Sequence, residues 1–252
     1  MFNWLIRVLV LVGMLPLASA GLAADSGFTL GPNVALDAYM ALVEQDFDQT
    51  RTALRILAAS ENAASGNWER IKAPLAILEK ATPTAAAVWF ARPDGSYFTA
   101  DHGLTDQNIR TRDYFPALLA GKDVNGDLVV SKSTGKRSAV VAVPVRSGGR
   151  VIGALGVSIA MEKVAAQVDS KIGFPKQVVF YALDSRGEIA LHRETSLLFE
   201  FATQLGSPSL TKAVEEMLAK PEGTVHYEFE GGQKTAIYKR SSVTGWVFAL
   251  RW

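Results

Sequence analysis

The residues of this sequence best suited to binding chemistry form one short cluster, Arg112-Asp113-Tyr114-Phe115. A guanidinium can hold a carboxylate through two parallel hydrogen bonds, and adjoining aromatic rings exclude water from such a contact. The cluster therefore predicts a clamp for a small anion at Arg112, with Tyr114 and Phe115 beside it. The alternative is a surface ion pair of Arg112 with Asp113 or Asp101.

Three further residues are candidates for the same pocket. Ser131 and Ser133, in the segment Ser131–Lys136, could donate hydroxyl hydrogen bonds to a ligand, although both also suit an ordinary turn. Trp89 lies in a short apolar run that predicts a strand, and it could line a pocket or belong to the core.

Signs of catalysis and of metal binding are weak in this sequence. His102, His192 and His226 lie in separate segments without metal-ligand spacing, so we expect surface or partly buried histidines. Asp123–Asp127 lacks the spacing and the terminal glutamate of a calcium loop and predicts a turn. There is no cysteine, nucleotide-binding glycine loop or Gly-x-Ser-x-Gly elbow. We expect no metal, no cofactor and no enzymatic activity.

The composition predicts a folded domain that does not bind nucleic acid. Hydrophobic residues make up 48% of the 252 residues and charged residues 20%, as in ordinary globular proteins. The 26 basic and 25 acidic residues leave a net charge of +1, which creates no basic field for nucleic acid or for an anionic membrane. The expected partner is a small molecule or another protein.

The first 23 residues predict a secretory signal. Arg7 provides the positive charge, Val8–Leu17 the apolar stretch, and Ala18-Ser19-Ala20 a site for cleavage near Ala20–Ala24. A retained N-terminal anchor is the alternative, although the apolar stretch is shorter than a usual membrane span. An exported chain without cysteine is typical of the bacterial periplasm, which is the predicted location.

Residues 24–80 predict a short polar segment, called the lead below, followed by two helices. Leu36, Met40, Val43, Phe47, Thr50, Leu54 and Leu57 alternate steps of four and three residues, which predicts a long helix with one apolar stripe and Asn33 as its N-cap. The stripe favours packing on its own domain, and a homodimer through this helix is the alternative. A second helix is predicted from Trp68 to Leu78, kinked at Pro74.

The remaining chain predicts two similar halves, each with a strand, turn, strand, helix and three strands. The first half, residues 81–164, ends in an antiparallel meander over Leu128–Ser131, Arg137–Val145 and Arg150–Ala160, and we expect Thr105–Asn108 to begin a loop or a short helix. The second half, residues 165–252, repeats the plan in shorter form. The fold class is therefore α+β, with a long N-terminal helix and two antiparallel-sheet modules.

Several segments together resemble the extracytoplasmic Cache sensor domain in its double form. They are RTRDYFPALLAG (110–121), SKSTGK (131–136), VVAVPV (140–145), GRVIGALGVSIAMEKV (149–164), FYALDSRGEIALH (180–192) and GWVFALRW (245–252). The resemblance implies two PAS-like modules, of which residues 81–164 would be the membrane-distal, ligand-binding one. It also implies that Arg112 clamps a ligand carboxylate beside Tyr114 and Phe115.

The sequence departs from the pattern of the double Cache domains that bind amino acids. Gln107 and Val129 stand where those domains carry tyrosines, and Ser158 aligns with the aspartate that binds the ligand's amine. A buried ammonium without a carboxylate partner is costly. The expected ligand is therefore a simple carboxylate or a related metabolite, with Ser158 at the open end of the pocket.

The resulting hypothesis is a periplasmic binding or sensing protein that passes ligand occupancy to a membrane receptor or a transporter. Family members usually continue into a membrane helix and a signalling domain, so the sequence resembles a sensor module exported alone. One alternative is a structural or interaction module with a degenerate pocket. Another is an exported enzyme, for example one with His102 beside a serine.

Overall fold

The computed structural model describes residues 31–252, which form one compact unit. The predicted signal peptide and the start of the lead lie outside the described residues. Six α-helices and eleven strands confirm the predicted α+β architecture. The division predicted at Val164 falls within a helix and stays a prediction.

Helix α1 (Pro32–Ala58) is 27 residues long and buries one face along its length. Its fully buried side chains are Leu36, Tyr39, Val43, Phe47, Thr50 and Leu54, so the predicted stripe packs within its own domain. Tyr39 is buried on this face in place of the predicted Met40, which is only partly buried. The predicted N-cap at Asn33 is wrong, because Pro32 begins the helix after Gly31 and its fixed φ suits the first turn.

Helices α2 (Glu61–Ala64) and α3 (Trp68–Ala81) follow α1 and cover the same side of the first sheet. Asn67 caps α3, since its side-chain oxygen accepts from the backbone N–H of Glu69 at 2.9 Å. Pro74 lies inside α3. The helix buries Ile71, Leu75 and Leu78 in the same core as α1.

The first sheet has six antiparallel strands in the order β3-β2-β1-β6-β5-β4. The strands are β1 (Ala85–Ala91), β2 (Ser96–Thr99), β3 (Gly103–Asn108), β4 (Val124–Val130), β5 (Arg137–Ser147) and β6 (Arg150–Ala160). Helix α4 (Phe115–Leu119) lies between β3 and β4.

The second sheet has five antiparallel strands in the order β8-β7-β11-β10-β9. They are β7 (Val179–Leu183), β8 (Ile189–His192), β9 (Glu222–Phe229), β10 (Gly232–Arg240) and β11 (Val247–Arg251). Helix α5 (Met161–Ile172) joins the two sheets, and α6 (Pro208–Ala219) packs on the outer face of the second one.

Two segments differ from the structure that the sequence predicted for them. Thr105–Asn108 is neither loop nor helix but part of β3, at the edge of the first sheet, where most side chains are exposed. Asp123–Asp127 is not a turn, because β4 begins at Val124. Gly126 forms a bulge in β4 with a φ of +106°, which accounts for the turn-like sequence.

Each sheet buries both faces, and the two inner faces share one core with α1. Alternate residues of β1 show the division, since Val88 and Phe90 join the core under α1 while Trp89 and Ala91 face the other way. The same shared core contains Phe180 and Phe248 from the second sheet. The outer faces form two separate clusters, and the one around Trp89 contains the predicted pocket.

Among residues 31–252, no helix combines the length and the apolar character needed to cross a membrane.

Tyr39 tests how the shared core is held. Its ring lies 5.2 Å from Phe248 and 5.4 Å from Phe180, and its buried hydroxyl has no hydrogen-bond partner among the described residues. We expect Tyr39→Phe to raise the free energy of unfolding by about 1 kcal/mol, because an unpaired buried hydroxyl is removed. Tyr39→Ala should lower it by about 3–5 kcal/mol. Urea denaturation measures both, and a loss of stability in Tyr39→Phe would contradict this account.

His192, which we expected to be at the surface or partly buried, is buried at the end of β8, with 6% of its surface exposed. Its Nδ1 accepts from the backbone N–H of Glu194 at 2.9 Å, and burial lowers its pKa to about 4. The unfolded chain therefore binds a proton at a higher pH than the folded one. The stability gained by keeping His192 neutral is fully present above its unfolded pKa of about 6.5. It is lost as the pH falls towards 4.

We expect the unfolding free energy to fall by about 2 kcal/mol between pH 8 and pH 5 because of His192 alone. Denaturant unfolding of the wild type and of His192→Gln at both pH values isolates this difference. The variant should lose that much less stability than the wild type on acidification. Equal losses in the two proteins would show that His192 is not held neutral.

Candidate functional site

A small cavity lies on the outer face of the first sheet and brings together most of the predicted site residues. It is lined by Trp89, Tyr97, Ile109, Arg112, Tyr114, Val129, Ser131, Lys132, Ser133 and Ser158. Its volume is about 20 Å³, which is room for roughly one water molecule. Six of the seven predicted site residues line it, and Phe115 does not. Phe115 is 1% exposed and belongs to the hydrophobic cluster behind the cavity.

Trp89 packs on the outer face of the first sheet and lines the cavity. It is paired across the strands with Gly156, where an added Cβ would lie 2.1 Å from the Trp89 ring. Its Nε1 donates to Ser158 Oγ at 3.3 Å. Both interpretations of Trp89 are therefore met, since the indole lines the cavity and is also a core residue at 4% exposure. The pairing with glycine is what admits so large a ring.

Two cations fasten the rim of the cavity. The Arg112 guanidinium donates through Nη2 to the carbonyl oxygen of Val130 at 2.5 Å. Lys132 Nζ donates in the opposite direction, to the carbonyl oxygen of Asn108 at 2.6 Å. The segment before α4 and the turn after β4 are thus joined by two cation–carbonyl hydrogen bonds, which we call the rim bonds. The alternative to the clamp, a surface ion pair of Arg112 with Asp113 or Asp101, is not formed in the described chain.

The two serines stand in a tight turn that positions Lys132. Ser131 Oγ lies 3.3 Å from Ser133 Oγ and accepts from the backbone N–H of Thr134 at 3.3 Å. The backbone closes the turn through Gly135 N–H, which donates to the Ser131 carbonyl at 2.8 Å. Gly135 has a φ of +68°, a region that glycine adopts without strain. The hydroxyls serve the turn and also line the cavity.

The electrostatics of the cavity favour an anion. Arg112 and Lys132 are the charged residues among its lining side chains, and both are cationic. Tyr114 is 6% exposed, and burial raises its pKa, with Arg112 opposing that rise. The hydroxyls of Tyr97, Tyr114 and Ser133 are further hydrogen-bonding groups in the lining. This arrangement can hold a carboxylate, whereas it offers no carboxylate to an ammonium group.

Lys132 is not among the site residues predicted from the sequence, which in this segment are the two serines alone. The available signal was its place between Ser131 and Ser133 in the SKSTGK turn. A lysine in a turn is ordinarily solvated, so its role depends on β3 ending beside it at Asn108. From the sequence, we expected Asn108 to belong to a loop or a short helix.

A much larger cleft of about 440 Å³ adjoins the small cavity and was also missed. It lies between the first sheet and two turns of the second sheet, and it shares Arg112, Tyr114 and Val129 with the cavity. Most of its other walls come from residues 125–128, 184–186 and 244–246. These segments are far apart in sequence, so their meeting is a product of the fold.

The floor of the cleft is held by two hydrogen bonds between the sheets. Trp246 Nε1 donates to the carbonyl oxygen of Gly126 at 3.1 Å, and Asn125 Nδ2 donates to the carbonyl oxygen of Val243 at 3.0 Å. A side chain at Gly126 would press on Thr244 and Trp246, with contacts of 3.2 and 3.3 Å from its Cβ. The bulge in β4 therefore permits the close approach of the second sheet.

No group of three or more histidine, aspartate or glutamate side chains that could hold a metal ion is present within residues 31–252.

Comparison with solved structures identifies the fold. The chain superposes with a TM-score of 0.71 on an extracellular ligand binding receptor from Desulfohalobium retbaense, at 13% identity, covering 88% of this chain and 40% of the receptor. The ligand-binding domain of the Campylobacter jejuni chemoreceptor Tlp3, in complex with 4-methylisoleucine, gives 0.66 at 14% identity and 88% coverage of both chains.

The ligand-binding domain of the Pseudomonas aeruginosa amino acid chemoreceptor PctB, in complex with L-Arg, is also similar. It gives a TM-score of 0.67 at 16% identity and covers 85% of this chain and 90% of that domain. No curated protein sequence matches the chain. The family model for the Cache domain, in its double form, matches residues 33–251. The chain therefore belongs to the double Cache family of sensor domains.

Proposed function

We propose that this protein is a periplasmic sensor whose first sheet binds a small carboxylate between Arg112 and Lys132. The observation that carries the proposal is the charge of the cavity, since its two charged lining residues are cations. A guanidinium and an ammonium on the two sides of one small space provide the donors that a carboxylate needs. The membership of a sensor family supports binding rather than catalysis.

The rim bonds supply the route by which a carboxylate would enter. Each cation now donates to a neutral backbone carbonyl, of Val130 or of Asn108. A carboxylate is a stronger acceptor for a charged donor than a carbonyl is. The ligand would replace both carbonyls, and the turn that contains Lys132 would move away from the segment that contains Arg112. The space for the ligand would come from this separation.

A simple carboxylate fits these residues better than an amino acid does. The solved relatives include domains named as complexes with isoleucine and with L-Arg. In this chain, the residue expected to meet an amine is Ser158, whose hydroxyl already accepts from the Trp89 indole. A desolvated ammonium without a carboxylate partner would be costly.

Occupancy would be passed on through α1, which contacts β5 and β6 of the first sheet and β10 and β11 of the second. Binding would shift the population between two arrangements of the first sheet's rim. A membrane receptor or a transporter would read that change. A homodimer through α1 stays a prediction, and it would use the outer surface of the helix, where Val34 and Ile56 are 54% and 68% exposed.

A structural or interaction module is the second candidate function. The cavity of about 20 Å³ and the pairing of Trp89 with Gly156 favour it, because a filled pocket needs no ligand for stability. The pair that would have favoured a hydrolase, His102 with a serine, is not formed in the part of the chain that the structure describes. His102 is exposed, and its backbone N–H donates to Thr99 Oγ1.

Thermal unfolding with acetate, lactate, pyruvate and succinate tests the carboxylate proposal. A ligand at about a hundred times its dissociation constant should raise the Tm by about 5 °C or more. Arg112→Ala should abolish the rise, and Lys132→Met should weaken binding by about tenfold or more, because each removes one charged donor.

The matched controls are Arg110→Ala and Lys136→Met, which remove exposed cations next to the same segments. Both should leave the rise in Tm intact, and the amides of the same acids should give none. A rise that survives in Arg112→Ala would refute the clamp. A folded protein that responds to no carboxylate in a broad panel would favour the interaction module.

A further inference from the structure

A further cavity, of about 40 Å³, lies on the outer face of the second sheet, between the sheet and α6. Aliphatic side chains form much of its lining, among them Leu183, Ile189, Leu210 and Val214, and we call it the apolar cavity. It has room for roughly two or three water molecules, or for an organic molecule of roughly four or five non-hydrogen atoms. Cavities with apolar walls bind small apolar molecules in preference to water.

The apolar cavity has the same position in the second sheet as the small cavity has in the first. The strand order β8-β7-β11-β10-β9 repeats the order β2-β1-β6-β5-β4. The small cavity is lined from β1, β2, β4 and β6, and the apolar cavity is lined from the corresponding strands β7, β8, β9 and β11. Each module therefore leaves a space at the same place, and the side chains around that space differ.

His192 brings one hydrogen-bond donor to this lining. The side chain is buried, and its Nδ1 accepts from the backbone N–H of Glu194 at 2.9 Å. The carbonyl oxygen of Glu194 also lies 3.1 Å from Nδ1, but a proton on Nδ1 would face the N–H group. Burial lowers the pKa of His192 to about 4, so the ring is neutral at pH 7 and its one proton lies on Nε2.

The Nε2–H donor of His192 has no acceptor in the protein. Within residues 31–252, the hydrogen bonds of this side chain are those of Nδ1 alone. Nε2 is also not sealed off by protein atoms, unlike the unpaired hydroxyls of Tyr39 and Tyr238. A molecule in the apolar cavity can therefore reach this donor. An acceptor placed there would remove the cost of leaving the donor unpaired.

The charges around the apolar cavity disfavour an ionic ligand. Glu194 and Glu230 are exposed residues of the lining, and Arg251 is half-buried, with its guanidinium 5.7 Å from the centroid of the Phe229 ring. Two carboxylates against one guanidinium repel an anion. A cation would leave water for an interior in which His192 is neutral, and a buried charge without a partner is costly.

We infer that the apolar cavity is a second binding site, for a small uncharged molecule with one hydrogen-bond acceptor, such as a short ketone or ester. Its oxygen would accept from Nε2 of His192, and its alkyl groups would contact Leu183 and Val214. The site is independent of the proposed carboxylate site, because Arg112 and Lys132 do not line it.

An NMR titration of the wild type with 2-butanone tests this inference. The matched ligand is 2-methyl-1-butene, in which a methylene group replaces the carbonyl oxygen. Both molecules should shift signals of the apolar lining, such as the methyl groups of Leu183 and Val214. Only the ketone should move the His192 Nε2–H signal downfield, because only the ketone accepts a hydrogen bond from it.

His192→Leu removes the donor and keeps an apolar side chain of similar size. It should weaken 2-butanone binding by about tenfold or more relative to 2-methyl-1-butene binding, since the ketone alone loses a hydrogen bond. The matched control is His226→Leu, which removes an exposed histidine of β9 outside the cavity and should change neither affinity. Ala202→Leu should abolish binding of both molecules, because the larger side chain fills the cavity and His192 is unchanged.

The wild-type titration decides the inference even where a variant does not fold. No shift of the His192 signals at saturating 2-butanone would overturn the site and leave a cavity that holds water only. An unchanged ratio of the two affinities in folded His192→Leu would overturn His192 as the donor. Neither result affects the carboxylate proposal, since both test molecules are uncharged and the site does not include Arg112.

Discussion

The apolar stripe of α1 is the constraint on which the remaining structure depends. One helix supplies the inner layer for both sheets, so that Tyr39 packs on Phe180 and Phe248 while Phe47 packs on Trp246 at 5.4 Å. Ion pairs also join α1 to both sheets. Asp37 pairs with Lys239 at 2.8 Å on the second sheet, and Arg55 pairs with Asp123 at 2.6 Å beside the first. Exposed ion pairs are worth little, so the shared apolar core fixes the two sheets on one helix.

This arrangement leaves the outer faces of the sheets for other uses. The second sheet covers its outer face with α6 and a hydrophobic cluster. The first sheet covers its own with α4 and the ring of Trp89, and only a small space remains under the rim bonds. These bonds close the cavity, and an anion can compete with the two carbonyl oxygens for the charged donors of Arg112 and Lys132. The same closure keeps Arg112 at the border between the small cavity and the cleft.

The elements with a clear pattern could be predicted from the sequence. Strand β6 has the predicted bounds, and apart from β3 the order of elements in the two halves is as expected. Strand β3 was missed because an edge strand with exposed side chains lacks apolar alternation. The start of β4 was missed because Gly126 is typical of a turn, although here it makes a bulge.

The lining of the small cavity could be predicted from short motifs, from one strand pattern and from the family resemblance, and it includes Trp89 and Ser158, which are distant in sequence. Arg112, Tyr114 and the serines were found, but Lys132 and the cleft were not, since both depend on contacts between distant strands and turns. Likewise, no pattern shows that Gly156 lies opposite Trp89, although that pairing decides how much of the pocket is filled.

Under the proposed function, a carboxylate takes over Arg112 and Lys132 from the backbone carbonyls that they now contact. A crystal structure of the protein with the carboxylate that binds most tightly would show whether this exchange of partners occurs. We expect a carboxylate held by two parallel hydrogen bonds from Arg112, with the guanidinium no longer bonded to the Val130 carbonyl and Lys132 turned towards the ligand. A ligand bound elsewhere, with both rim bonds intact, would contradict it.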